Sequence, residues 1–128
     1  MYGFNTSVSG EMEDVINNVK EALKTEGFGV LTEIDVAATL KEKIDVDRNP
    51  YVILGACNPA LANQAINAEP DIGLLLPCNV VVRKEDDGSI TVAFMDPAAV
   101  LGIVDREEVT QLGMEVRGKL EKVRDLLK

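Results

Sequence analysis

Pro50-Tyr51-Val52-Ile53-Leu54-Gly55-Ala56-Cys57-Asn58-Pro59 is the stretch that decides the fold. Tyr51 to Ala56 is a compact apolar run bounded by Pro50 and by Asn58-Pro59, so it reads as a buried central strand. Asn58 as N-cap, with Pro59 at the first helical position, then opens a short helix through about Ala68.

Outward toward the N-terminus, Tyr2 to Val8 reads as a first strand, and Ser9 caps a helix running to about Glu26. Met12, Val15, Ile16, Val19, Ala22 and Leu23 fall on one face of that helix, and Gly27 stands where a C-terminal cap belongs. Phe28 to Ile34 alternates as a strand does. Asp35 then caps a second helix that turns Val36, Ala37, Leu40 and Ile44 inward and ends near Asp45.

Outward toward the C-terminus, Ile72 to Arg83 is strand-rich but interrupted by Pro77, which donates nothing to a ladder and implies a bulge, a bend or an edge. Glu85-Asp86-Asp87-Gly88 is a turn, and Ile90 to Phe94 returns as the partner strand. Asp96-Pro97 repeats the cap-then-proline device and predicts a helix to about Val104. A last helix starts near Glu107. Its stripe of Val109, Leu112, Val116, Leu120, Val123 and Leu127 is expected to lie on the sheet, because a small domain must cover its strands; another subunit is the alternative.

These elements predict one α/β (α+β) domain over residues 1–128. Its expected form is a two-layer sandwich with a mixed or antiparallel sheet and the main helices on one face. At 128 residues, 46% apolar and 27% charged, the chain has the composition of an ordinary globular domain.

Charge and composition remove many functions. With 22 acidic against 13 basic residues and a net charge of -9, the chain would repel a phosphate backbone and an anionic membrane surface. Neither nucleic acid nor membrane is expected as a partner. No apolar run approaches the roughly 18 residues of a spanning helix, and Met1 to Gly10 lacks the blocks of a signal peptide. A cytoplasmic location is expected. The absence of histidine removes the commonest general base and metal ligand. Two cysteines are too few for a secreted disulfide scaffold.

Those cysteines share a local grammar, Ala56-Cys57-Asn58-Pro59 and Pro77-Cys78-Asn79-Val80. Cys57 stands just before a predicted helix N-terminus, whose partial positive charge favours a thiolate. If Asp87-Gly88 is a two-residue hairpin loop, Val82 pairs with Ala93, Val80 with Met95 and Asn79 with Asp96, which sets Cys78 beside Asp96. Should the Tyr51 strand neighbour this hairpin, Cys57, Asn58, Cys78, Asn79 and Asp96 converge as a ligand-binding site near two helix N-termini. Cys57 and Cys78 are also the candidate metal ligands, although two thiolates alone do not complete a tetrahedral zinc site. Each residue has a plain structural role as well: Asn58 and Asp96 cap helices, Asn79 satisfies backbone at the Pro77 bend, and the cysteines pack.

Other motifs carry less. Glu33 and Asp35 project from the same side of an extended chain, but Asp35 is more simply a cap. Gly27 and Gly29 lack the dinucleotide fingerprint and precede a strand instead of following one. Met95 and Met114 are filler for a core or an interface.

Leu31-Thr32-Glu33-Ile34-Asp35-Val36, Leu54-Gly55-Ala56-Cys57-Asn58-Pro59, Ala68-Glu69-Pro70, Ile72 through Val82 and Met95-Asp96-Pro97 together resemble the prokaryotic family of domains of unknown function numbered three hundred and two. The resemblance covers essentially the whole chain. It implies a compact α/β sandwich often seen as a homodimer, and brings no established activity, substrate or cofactor. The function expected is that of a small cytoplasmic binding protein with a cysteine-centred pocket for a small ligand or metal ion. The alternatives are a thiol-redox protein using Cys57 and Cys78, or an interaction module without a small-molecule site.

Overall fold

In the computed structural model, which describes residues 1–128, the apolar run at the centre of the sequence is strand β3 (Tyr51–Cys57). It lies inside a five-stranded sheet with β1 (Gly3–Val8), β2 (Gly29–Asp35), β4 (Cys78–Lys84) and β5 (Ile90–Met95), in the order β1-β5-β4-β3-β2. Every neighbouring pair is antiparallel. Between the strands run α1 (Met12–Thr25), α2 (Val36–Ile44) and α3 (Pro59–Ala68), with a 3-10 helix over Pro70–Leu75, and α4 (Pro97–Leu101) and α5 (Glu107–Leu127) follow β5.

Alternation sorts the strand residues between two faces. Val52, Leu54, Ala56, Cys78, Val80, Val82, Ile90, Val92 and Phe94 fill one core with Val15, Val19 and Leu23 of α1 and Val116, Leu120 and Val123 of α5. The α5 stripe therefore covers the sheet of its own chain, and it no longer argues for a subunit contact. A smaller core of Ala65, Ile72, Leu101 and Val109 joins α3, the 3-10 helix, α4 and α5. Gly113 sets the approach of the last two helices, because a Cβ there would lie 2.7 Å from the Pro97 carbonyl oxygen. No helix is long and apolar enough to cross a membrane.

The turn chemistry accounts for most boundaries. Gly27 takes φ +83, while its N–H and that of Phe28 return to the Lys24 and Leu23 carbonyls, so α1 ends in a Schellman motif. Asp35 accepts from the Ala38 N–H and Asn58 from the Leu61 N–H, as caps of α2 and α3.

The structure corrects several expectations. Ser9 caps nothing; Glu11 holds the N-cap position of α1 without a side-chain bond. Ile44 is 62% exposed, since α2 buries none of its residues. Ile72 to Leu75 coils into the 3-10 helix, and Pro77 falls in the loop before β4, where no ladder N–H is needed. The fourth helix stops at Leu101 instead of Val104.

The hairpin is shifted by one residue from the expected pairing: Val80 faces Phe94 and Val82 faces Val92. Glu85 and Ser89 close a loop of three residues, Asp86-Asp87-Gly88, with Gly88 at φ +91. The Asp87 carboxylate takes the Ser89 N–H and hydroxyl, which fixes that longer turn.

Candidate functional site

Ala56 faces Cys78 across the β3–β4 ladder, so the two cysteine motifs lie side by side at one end of the sheet. Cys78 is buried on the helix side and Cys57, the last residue of β3, is half-buried. Both are free thiols. Burial, with the Cys57 thiol beside it, pushes the Cys78 thiol up to about 11.

Both cysteines and Asn58 line one cavity of about 30 Å³, where 11 of 13 lining residues are hydrophobic. Phe28, delivered by the α1 cap, forms part of its wall, as do Leu76 and Pro77 from the loop before β4. A water needs about 10–15 Å³ by this measure and two or more polar partners, so the chamber is small and suited to staying dry. Hollows of about 470 and 490 Å³ lie elsewhere, but they are open surface clefts. The first is at the opposite end of the strands among Arg48, Arg83, Lys84 and Asp86; the second lies between α1 and α2.

The five residues picked from sequence divide into two groups. Asn58 touches the cavity, yet both ends of its amide are engaged, Oδ1 by Leu61 N–H and Nδ2 by the Glu26 carbonyl at 3.4 Å. Asn79 is exposed and paired with Gly55, on the sheet face away from Cys78. Asp96 is buried and outside the cavity lining; it accepts from Ala98 and Ala99 N–H at the start of α4 and binds Arg117 of α5. Arg117 in turn lies over the Phe4 ring, which stacks on Phe94. Asp96 thus ties α4, α5 and the β1–β5 edge together.

Nowhere in the chain do three His, Cys, Asp or Glu side chains gather as metal ligands. A metal at Cys57 and Cys78 needs donors from outside the protomer. Phe28, Leu76 and Pro77 were not expected from sequence to line a site, although Phe28 carried a signal as the apolar residue that follows a glycine cap and Pro77 as the break beside Cys78.

The molecule is an α+β two-layer sandwich whose cysteines border an apolar chamber instead of a polar active site. It belongs to the family described as domain of unknown function DUF302, which matches residues 4–127. A solved structure, that of an uncharacterised conserved DUF302 protein from Bacillus stearothermophilus, superposes with a TM-score of 0.93 at 30% sequence identity. The match covers 100% of this chain and 99% of that one. No curated protein matches the chain.

Proposed function

We propose that this is a small-ligand binding protein whose site is the cavity between Cys57, Cys78 and the start of α3, and that its ligand is a small apolar molecule. The observation that carries this reading is that both cysteines line one chamber with an almost wholly hydrophobic wall. Ligand pockets ordinarily measure about 300–1,000 Å³, so binding anything larger than a few atoms requires the Leu76–Pro77 wall to move.

The lining disfavours a metal, which needs donors the wall does not supply. A redox pair is disfavoured by the Cys78 thiol, which burial pushes up to about 11 and so holds in the unreactive protonated form. We infer a reducing, cytoplasmic setting from the two free thiols and the acidic composition.

Xenon is the probe that suits a small dry cavity. Amide spectra recorded under xenon pressure should shift at Ala56, Cys57 and Ala65, and Ala62→Leu, which adds bulk to the wall, should abolish the response. Unchanged spectra in the wild type would remove the proposal.

A further inference from the structure

The cleft of about 470 Å³ lies at the end of β3 and β4 far from the cysteines, and the fold pins its two walls together. One wall is the chain entering β3, residues 47–51; the other is the end of β4 and the start of the hairpin loop, residues 83–86. The Lys84 N–H donates to the Pro50 carbonyl at 2.9 Å, the Asn49 amide donates to the Asp86 carboxylate at 2.6 Å, and Tyr51 faces Arg83 across the ladder. Walls braced in this way lose little freedom when something binds between them. The volume falls in the range of ordinary ligand pockets, about 300–1,000 Å³. Only one of the nine lining residues is hydrophobic, so the occupant that fits is polar.

Charge narrows the choice. Of the five arginines in the chain, Arg83, Arg106, Arg117 and Arg124 each hold a carboxylate. Arg48 holds none, although acidic residues outnumber basic ones by 22 to 13. Its guanidinium lies over the Tyr51 ring instead, 5.4 Å from the centroid. The ring steadies one face of the group and leaves its N–H edge free to donate. Lys84, half-buried in the opposite wall, also stands without a carboxylate partner. The three carboxylates of the cleft each have a donor of their own: Asp47 takes Lys41, Glu85 takes Arg83 and Asp86 takes Asn49. Two cations on facing walls are left over.

We propose that this cleft binds a small sugar or polyol phosphate, with Arg48 and Lys84 holding the phosphate. A phosphate monoester is close to a dianion at pH 7, which matches the two free cations, and the planar fork of an arginine meets phosphate oxygens in pairs. The space beyond the phosphate is lined by Asn49, Glu85 and Asp86, whose oxygens accept from hydroxyl groups. The net charge of -9 repels a long polyanion, which must cross the acidic surface. A single phosphate feels mainly the charges within a screening length, about 8 Å at physiological ionic strength.

Amide spectra recorded during titration with glycerol 3-phosphate, inorganic phosphate, succinate and glycerol test the assignment. Glycerol 3-phosphate should shift Arg48, Asn49, Tyr51 and Lys84 saturably, with a Kd below about 1 mM. Inorganic phosphate should shift the same amides more weakly, and glycerol alone should shift none. Arg48→Gln and Lys84→Gln should each raise the Kd at least about tenfold while keeping native circular dichroism. Lys122→Gln removes the same charge from an exposed position on α5 and should leave the titration unchanged. No saturable shift, or an equal loss in Lys122→Gln, overturns the proposal. Succinate binding as tightly as glycerol 3-phosphate also overturns it, because the cleft would then answer to any dianion.

Discussion

Ala56 and Cys78 are directly opposed on neighbouring strands, and this one register pair decides how the two thiols differ. Cys78 shares the core face with Val80 and Val82, whereas Cys57 emerges half-buried at the end of β3. A thiol near 11 is thiolate in only about one molecule in a thousand at pH 8. Cys57 should therefore react with a thiol-specific reagent in the native state, while Cys78 should wait for unfolding. Peptide mapping after timed labelling at pH 8 reads both rates, and equal rates would contradict the arrangement.

The same shift makes a stability prediction at high pH. Cys78 has its pKa raised in the folded state, from 9.0 to about 11, so the native protein keeps a proton that the unfolded chain releases. Its contribution is complete below pH 9 and is lost as pH rises toward 11, at a cost of about 2–3 kcal/mol. Urea midpoints of wild type and Cys78→Ala should hold a constant gap up to pH 9 and converge above it. Parallel curves from pH 8 to 11 would show that the thiol is not held protonated by burial.

Two helical glycines should respond in opposite directions to alanine. At Gly113 a Cβ would press on backbone, 2.7 Å from Pro97 O and 3.3 Å from Ala98 Cα, so Gly113→Ala must lift α5 from α4 and should cost about 1–3 kcal/mol. At Gly118 a Cβ meets nothing within 4 Å, and Gly118→Ala should stabilise by about 0.5–1 kcal/mol through helix propensity. Thermal unfolding of the pair measures both signs. Leu120, 1% exposed under the same helix, should cost about 2–5 kcal/mol on truncation to Ala.

The elements themselves were legible wherever a cap and an apolar period agreed. Asn58-Pro59 and Asp96-Pro97 open α3 and α4 where the sequence places them, and the α5 stripe buries Val109, Val116, Leu120 and Val123. The hairpin register was missed although its signal is local: Asp87 accepts from the Ser89 N–H and hydroxyl two residues on, and this Asx turn goes with a three-residue loop where Asp87-Gly88 alone suggested two. That one-residue slip exchanges the faces of every pair.

The site was half legible for a related reason. The echo of the cysteine motifs did report two adjacent strand ends, but Asn79 and Asp96 depend on which face each strand turns toward the helices. Asp96 also reads alike as a ligand donor or a cap until Arg117 is seen beside it. The alignment of Ile34, Ile53, Val81 and Ala93 on the face away from the helices is a property of three registers at once, and no single stretch announces it.

Gly55 links the sheet to the cavity and supports the most direct test of how the chamber opens. A Cβ at this position would collide with Thr32 Oγ1 and come within 2.9 Å of Pro77 Cγ, so the bare backbone of β3 is what lets the proline close over the sheet beside Cys57. Thr32 is a side chain on an exposed edge strand and yields easily; Pro77 is part of the cavity wall and yields only with its loop. Gly55→Ala should therefore cost about 1–3 kcal/mol and displace the Leu76–Pro77 segment. Cys78 labelling should rise at least about tenfold beyond what the lost stability explains, because native-state exchange through global unfolding scales with the unfolding constant alone. The double variant Thr32→Ala/Gly55→Ala relieves the threonine collision and leaves the proline one, so it should recover part of the stability and keep the faster labelling. If labelling in both variants merely tracks their unfolding constants, the loop is not the gate and the cavity opens elsewhere along α3.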